Sequence, residues 1–311
     1  MPRSDSGSDS EPAADFGALE ETARTWRPDD SRTTDPLDPA PVAALSAVLD
    51  LPAPVAAAGD ALPPLWHWLH FLSWPRRGEL GPDGHPRDSR FLPPLPRRRR
   101  MFAGGRLEVT APLVVGRPAE RHSRVDRVRP KRGRSGDLLF VTERSEYRQD
   151  GRLCLTEEQD LVYRSGGGSG SRASVPSAPT PDTEARPHHG TARWQREWHT
   201  DPALLFRFSA LTANAHRIHY DVPYATDVEG YPGLVVHGPL LVLAMLEEVR
   251  RRQPERPVRS VSYRLLKPVF CGERLLVCGD PVGEGSTAAL RVASHREDAH
   301  ARAEVGFDQA P

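Results

Sequence analysis

The sequence predicts an α+β fold in two tandem copies, each an antiparallel sheet wrapped around a helix. Three observations carry this. A strand-like segment ending in Pro-x-x-x-Gly occurs twice, at 105–116 and at 261–272. Its prolines (268 − 112) and its glycines (272 − 116) are both 156 residues apart. Matched context around such a pair points to a duplicated unit. Each copy then runs into further β-like segments, 138–148 and 153–163 in the first half and 274–279, 288–295 and 301–307 in the second. Finally, Gly238-Pro239 opens a segment in which Leu240 through Leu246 are all apolar, before Glu247, Glu248 and Arg250 to Arg252 return it to water.

These elements follow from ordinary chain chemistry. Proline suits the first helical turn, where its missing N–H would have had no partner. A helix apolar on every face must be surrounded, and the strands that follow it supply the wrapping. In the first half, 42–51 reads as an amphipathic helix, and 62–72, with Trp66, Trp68 and Phe71, reads as core.

A chain of 311 residues suits two domains of ordinary size plus tails. Composition divides it into a disordered tail (1–17), a first domain (18–165), a disordered linker (166–191) and a second domain (192–311). The linker carries Gly166-Gly167-Gly168-Ser169-Gly170-Ser171 and then Pro176, Pro179, Pro181 and Pro187. Such a segment buries too little apolar surface to offset its ordering entropy. Formal net charge is +0, so nothing in the charge balance points to nucleic acid or an anionic membrane. No apolar run approaches a membrane span and the N-terminus has no apolar signal core. Cys154, Cys271 and Cys278 have no metal spacing and read as free thiols, which suits a reducing cytoplasm. The arginine run 97–100, set among prolines, reads as a solvated surface with phosphate binding as its alternative.

Candidate chemistry is concentrated in 208–221. Asn214, His216, His219 and Asp221 follow a helix expected over 202–211, in a stretch too polar to continue it. Histidine exchanges protons near neutrality, and a loop leaving the helix can bring Asn214 and His219 to one point. The plainer alternative makes both histidines loop residues bonded to backbone. Gly238 opens the apolar helix, where the first N–H groups lack partners and face the positive end of the helix dipole. Without a Cβ it admits a carbonyl closely, and an oxygen docked there would be stabilised as it gains enolate charge. The alternative is that Gly238 only permits close packing. His237 reads as more structural than catalytic.

The run Ala213-Asn214-Ala215-His216-Arg217-Ile218-His219, followed by His237-Gly238, resembles the MaoC-like (R)-specific enoyl-CoA hydratase family, whose pattern is Gly-Asp-x-Asn-Pro-Ile/Leu-His and later His-Gly. Asn-x-His-Arg-Ile-His-Tyr-Asp is similar to its narrower branch of mesaconyl-C4-CoA hydratases and mitochondrial-type 3-hydroxyacyl-thioester dehydratases. In the first half, Leu62-Pro63-Pro64-Leu65-Trp66-His67-Trp68-Leu69, Gly81-Pro82-Asp83-Gly84-His85-Pro86 and Met101-Phe102-Ala103-Gly104-Gly105 resemble the same branch. The resemblance implies a double hot-dog fold and cofactor-free, metal-free hydration of a 2-enoyl thioester carried on CoA or acyl carrier protein. It implies that His219 acts as base on a water held by Asn214 and returns a proton to Cα, with Gly238 holding the thioester oxygen. His216, His237, Tyr220 and Arg217 are the expected substrate-binding residues. The family's aspartate is Asn214 here, and an amide can orient water but cannot accept its proton. A hot-dog thioesterase and a non-catalytic acyl-thioester binding module are the alternatives. A homodimer is compatible with the fold, and neither nucleic acid nor membrane is an expected partner.

Overall fold

The computed structural model describes residues 15–96, 98–133, 136–165, 182, 184–187 and 190–308. Most of the tail and most of the linker lie outside the described residues, as does Arg97. Phe16 and Gly17, grouped with the tail by composition, are instead the start of α1 (Phe16–Thr25), because the Asp15 carboxylate caps it by accepting from the Ala18 N–H at 2.9 Å.

Among the described residues, ten strands form one antiparallel sheet. The first half supplies β1 (Ser31–Asp35), β2 (Arg98–Val109), β3 (Ala119–Gly133), β4 (Gly136–Gln149) and β5 (Arg152–Ser165). The second supplies β6 (Trp194–His199), β7 (Val258–Leu265), β8 (Arg274–Val282), β9 (Thr287–Ala293) and β10 (Ala301–Phe307). Their spatial order is β1-β3-β4-β5-β2-β7-β10-β9-β8-β6. Read from either edge inward, the two halves place corresponding strands in the same sequence, so the sheet has an internal two-fold relation. The sequence repeat sits at its centre. β2 pairs with β7 in the register Leu107↔Val261, and each Pro-x-x-x-Gly ends in a left-handed glycine, Gly116 (φ 78°) and Gly272 (φ 89°). Even the short bridges that follow correspond, Ala61↔Val114 and Val235↔Phe270. The seam needs Gly105, because a Cβ there would lie 2.4 Å from the Tyr263 hydroxyl and 2.5 Å from the Glu158 carbonyl oxygen.

The helices break the symmetry. In the second half, α4 (Gly238–Arg252) is buried from Leu240 through Val249. Its two glutamates do not return it to water as the sequence implied. Glu247 and Glu248 are buried, held by Arg250 for Glu247 and by Arg196 and Arg252 for Glu248. A buried carboxylate persists only when paired in this way. Among the described residues the first half has no long counterpart. After the Ala61 bridge, Pro63 and Pro64 precede a four-residue 3₁₀ helix, Trp66–Leu69. The helical part of that half's core is α2 (Pro39–Val48), started by Asp38 and Pro39. Val42, Leu45 and Val48 of α2 join Leu107, Leu113 and the apolar residues of α4 in one continuous core. Trp66 and Phe71 are buried in it as expected. Arg98–Arg100 begin β2, and Arg99, read as solvated surface, pairs with Glu229 at 3.6 Å.

Candidate active site

α3 (Pro202–Leu211) ends where the sequence expects. Asp201 caps its start by accepting from the Leu204 N–H at 2.7 Å. Ala213 adopts a left-handed conformation (φ 50°) just past its end, and the Asn214 N–H returns to the Ser209 carbonyl at 2.9 Å. That terminator turns the chain sharply. The Asn214 Oδ1 then accepts from the His216 N–H at 3.0 Å, and one 3₁₀ turn (Arg217–His219) follows.

His219 is oriented by the strand-like approach to α4. Val235 and Val236 donate their N–H groups to Ile218 and Val269 carbonyls, at 2.9 and 2.8 Å. The Val235 carbonyl so positioned accepts from His219 Nδ1 at 2.7 Å. A carbonyl can only accept, so Nδ1 carries the proton and Nε2 keeps its lone pair. His219 is 7% exposed, and burial lowers its pKa from 6.5 to about 4, which keeps it a neutral base.

His237 is the residue before α4. Its ring stacks on His219 with centroids 3.7 Å apart and 17° between planes, and its Nε2 bonds the Ser209 hydroxyl at 2.8 Å. Burial holds it well below its usual pKa. It is 1% exposed and backs the His219 ring. Gly238 follows at the helix start. A Cβ there would lie 2.2 Å from Leu265 Cδ1, so glycine lets the Leu265 side chain of β7 pack directly on the helix start.

His216 faces the other half of the molecule. Its ring lies 4.1 Å from that of His85 and 5.6 Å from that of His219, measured between centroids. Burial first, and then His85 and His219, lower its pKa to about 2. Arg217, expected to bind substrate, forms a clasp between the two halves. Its Nε and Nη2 donate to Asp221 at 2.9 and 2.7 Å, its Nη1 donates to the Pro82 carbonyl at 2.9 Å, and its guanidinium covers the Tyr224 ring. Tyr220 is 45% exposed, with its hydroxyl donating to the Ala215 carbonyl at 3.0 Å.

The sequence reading missed the first-half contribution. Residues 79–87 form a small hairpin, bridged Leu80↔Pro86, whose tip rests on 215–217. The Arg217 N–H donates to the Asp83 carbonyl at 2.8 Å. Asp83 also accepts twice from His85, from its backbone N–H and from its Nδ1, both at 3.0 Å. Those bonds outweigh burial and lower the Asp83 pKa to about 2. Asp83, His85 and His216 each offer a donor within 4.8 Å of the others. The Asp83 carboxylate is already bonded to His85 Nδ1, which makes the two an acid–base pair. A cavity of about 180 Å³ lies elsewhere, lined by Arg100, Arg121, Glu143, Ser123 and Tyr163 among others, and by none of 208–221. Its charged lining does not suit an acyl chain.

A deeply buried neutral imidazole beside a helix start, on a double hot-dog scaffold, suits an acyl-thioester hydro-lyase. Comparison with known proteins agrees. The family model for hydroxyacyl-thioester dehydratase type 2 matches residues 65–271, and the chain belongs to that family. It is 49% identical over 227 residues to the mesaconyl-C(4)-CoA hydratase of Chloroflexus aurantiacus, covering 73% of this chain and 78% of that protein. It is 28% identical over 282 residues to the mitochondrial hydroxyacyl-thioester dehydratase type 2 of Schizosaccharomyces pombe, covering 80% and 89%. The fold is shared with a MaoC-like dehydratase from Phytophthora capsici (TM-score 0.63, 13% identity, 94% of this chain and 99% of that one). It is shared also with HtdX of Mycobacterium tuberculosis (TM-score 0.59, 18% identity, 89% and 99%). No described helix is long and apolar enough to cross a membrane.

Proposed function

We propose that the protein hydrates a 2-enoyl-CoA of the mesaconyl-C4 kind, reversibly and without a cofactor, at a site centred on His219. The observation that supports this most directly is the fixed tautomer of His219, whose Nδ1 is committed to the Val235 carbonyl so that Nε2 presents a lone pair. Asn214 holds the attacking water, and Nε2 takes its proton as oxygen bonds to Cβ. Electron density moves to the thioester oxygen, which the Gly238 N–H at the start of α4 stabilises. A proton delivered to Cα completes the 3-hydroxyacyl thioester. The 49% identity to a mesaconyl-C(4)-CoA hydratase favours CoA as the carrier. The reaction consumes the conjugated enoyl thioester and leaves the thioester bond intact. Loss of enoyl absorbance without release of free thiol, over a panel of mesaconyl-C4-CoA, crotonyl-CoA and longer enoyl-CoAs, is the expected result. Release of thiol would make the enzyme a thioesterase.

A further inference from the structure

The reaction needs two proton transfers, at oxygen and at Cα, and Asn214 can perform neither. His219 alone would have to carry both. We propose that the second belongs to His85, which the first half inserts into the site of the second. This rests on the hydro-lyase reading above and goes beyond it by assigning a catalytic residue outside the histidine loop.

Three observations support the assignment. The first is the docking of the hairpin tip, fixed from both sides by the Arg217 N–H on the Asp83 carbonyl and by Arg217 Nη1 on the Pro82 carbonyl. The second is the room made for it. Gly84 has φ 90°, and a Cβ on it would lie 1.8 Å from the Ala215 carbonyl oxygen, so the tip sits directly on the backbone between Asn214 and His216. The third is the chemistry of the pair. Asp83 is an ionised carboxylate that only accepts, so its bond to His85 Nδ1 fixes a proton there and leaves Nε2 to gain or lose one. A carboxylate behind an imidazole also stabilises the imidazolium that forms during proton transfer. Among the described residues no carboxylate hydrogen-bonds the ring of His216 or His219, and Asp83 acts on His216 only through its charge. The groups facing His85 are Asp83, His216 and His219, with the Arg100 charge acting on His216. Of the three imidazoles, His85 is thus the one built to carry positive charge.

In hydration, water gives one proton to His219 Nε2 and its hydroxyl to Cβ. The enolate then takes a proton at Cα from His85 Nε2. The protonated His219 and neutral His85 return to their starting states by exchange with solvent. In the reverse direction His85 removes the Cα proton, and His219 protonates the departing hydroxyl.

The test uses the full chain, wild type against His85→Gln, Asp83→Asn and His219→Ala. It combines steady-state hydration, a thermal melt and exchange of the Cα proton of the 3-hydroxyacyl thioester in D₂O. His85→Gln should lower kcat about 10² to 10³-fold, with KM and melting temperature little changed. It should abolish Cα exchange, which His219→Ala should retain. Asp83→Asn should reproduce the kcat loss in milder form, and it decides the matter if His85→Gln does not fold. Full kcat in His85→Gln, or Cα exchange persisting in it, overturns the assignment while leaving the hydratase reading intact. A wild type that turns over no enoyl thioester instead overturns the hydratase reading.

Discussion

His219 and His237 stack face to face, 3.7 Å apart, with the Nδ1 of one on the Val235 carbonyl and the Nε2 of the other on Ser209. Both rings are buried and both are held below their ordinary pKa. Two stacked imidazoles in so little solvent cannot both be charged. The arrangement keeps the proposed base, His219, unprotonated, and acid sensitivity follows.

The first expectation concerns stability. Unfolded histidine binds its proton near pH 6.5. His219 binds only near 4 when folded, His216 near 2, and His237 well below its usual value. Between these limits the unfolded chain holds more protons, so stability is complete above pH 6.5 and is lost as pH falls toward 4. Each such histidine contributes a slope of about 1.4 kcal/mol per pH unit. Urea midpoints measured from pH 7 to pH 5 should fall steeply, and His219→Gln should flatten the dependence.

The same lowering governs activity on the acid side. His219 works as a base only when Nε2 is free, and that holds at any pH above about 4. The acid limb of kcat/KM should therefore lie well below 6.5. An acid limb at 6.5 or above would show that an ordinary solvated imidazole is the base.

Gly84→Ala tests the docking of the two halves without touching any group that moves protons. The added Cβ would overlap the Ala215 carbonyl oxygen, and the left-handed backbone opposes it independently. The hairpin tip must back away from 215–217. We expect a kcat loss of at least about tenfold, of the size that small misplacements produce, in a chain that still melts cooperatively.

Glu157 offers a stability test away from the site. Its carboxylate is 2% exposed and accepts from His67, Trp68, Tyr147 and Gln159 at 2.6 to 3.0 Å. These bonds hold its pKa at about 2 despite burial. Glu157→Leu should cost about 3–5 kcal/mol in urea unfolding, because it strands several buried donors at once.

Much of this was legible in the sequence, for identifiable reasons. α3 runs over the residues its pattern indicates, bounded by Asp201-Pro202 and the polar turn. The paired Pro-x-x-x-Gly segments flank the seam because the same local chemistry was needed twice. β3 escaped notice because it is arginine-rich and half-exposed, with no apolar alternation over most of its length. α4 was clear at its start, but its buried glutamates were not, since their arginine partners include Arg196 on a distant strand. The largest omission was Asp83 and His85. The motif around them was visible as a resemblance, yet nothing local shows that a hairpin tip in the first half meets a loop 130 residues further on. The bond from Arg217 to the Pro82 carbonyl was hidden for the same reason, being invisible to spacing.

His219 is proposed to perform proton transfer in a hydration that leaves the thioester whole. The most direct test is to follow enoyl absorbance and free thiol together, with mesaconyl-C4-CoA as substrate, for wild type and His219→Ala. The expected result is loss of enoyl absorbance without thiol release in wild type, and a rate at least about 10²-fold lower in a His219→Ala protein that still melts cooperatively. Equal rates in the two proteins would contradict it.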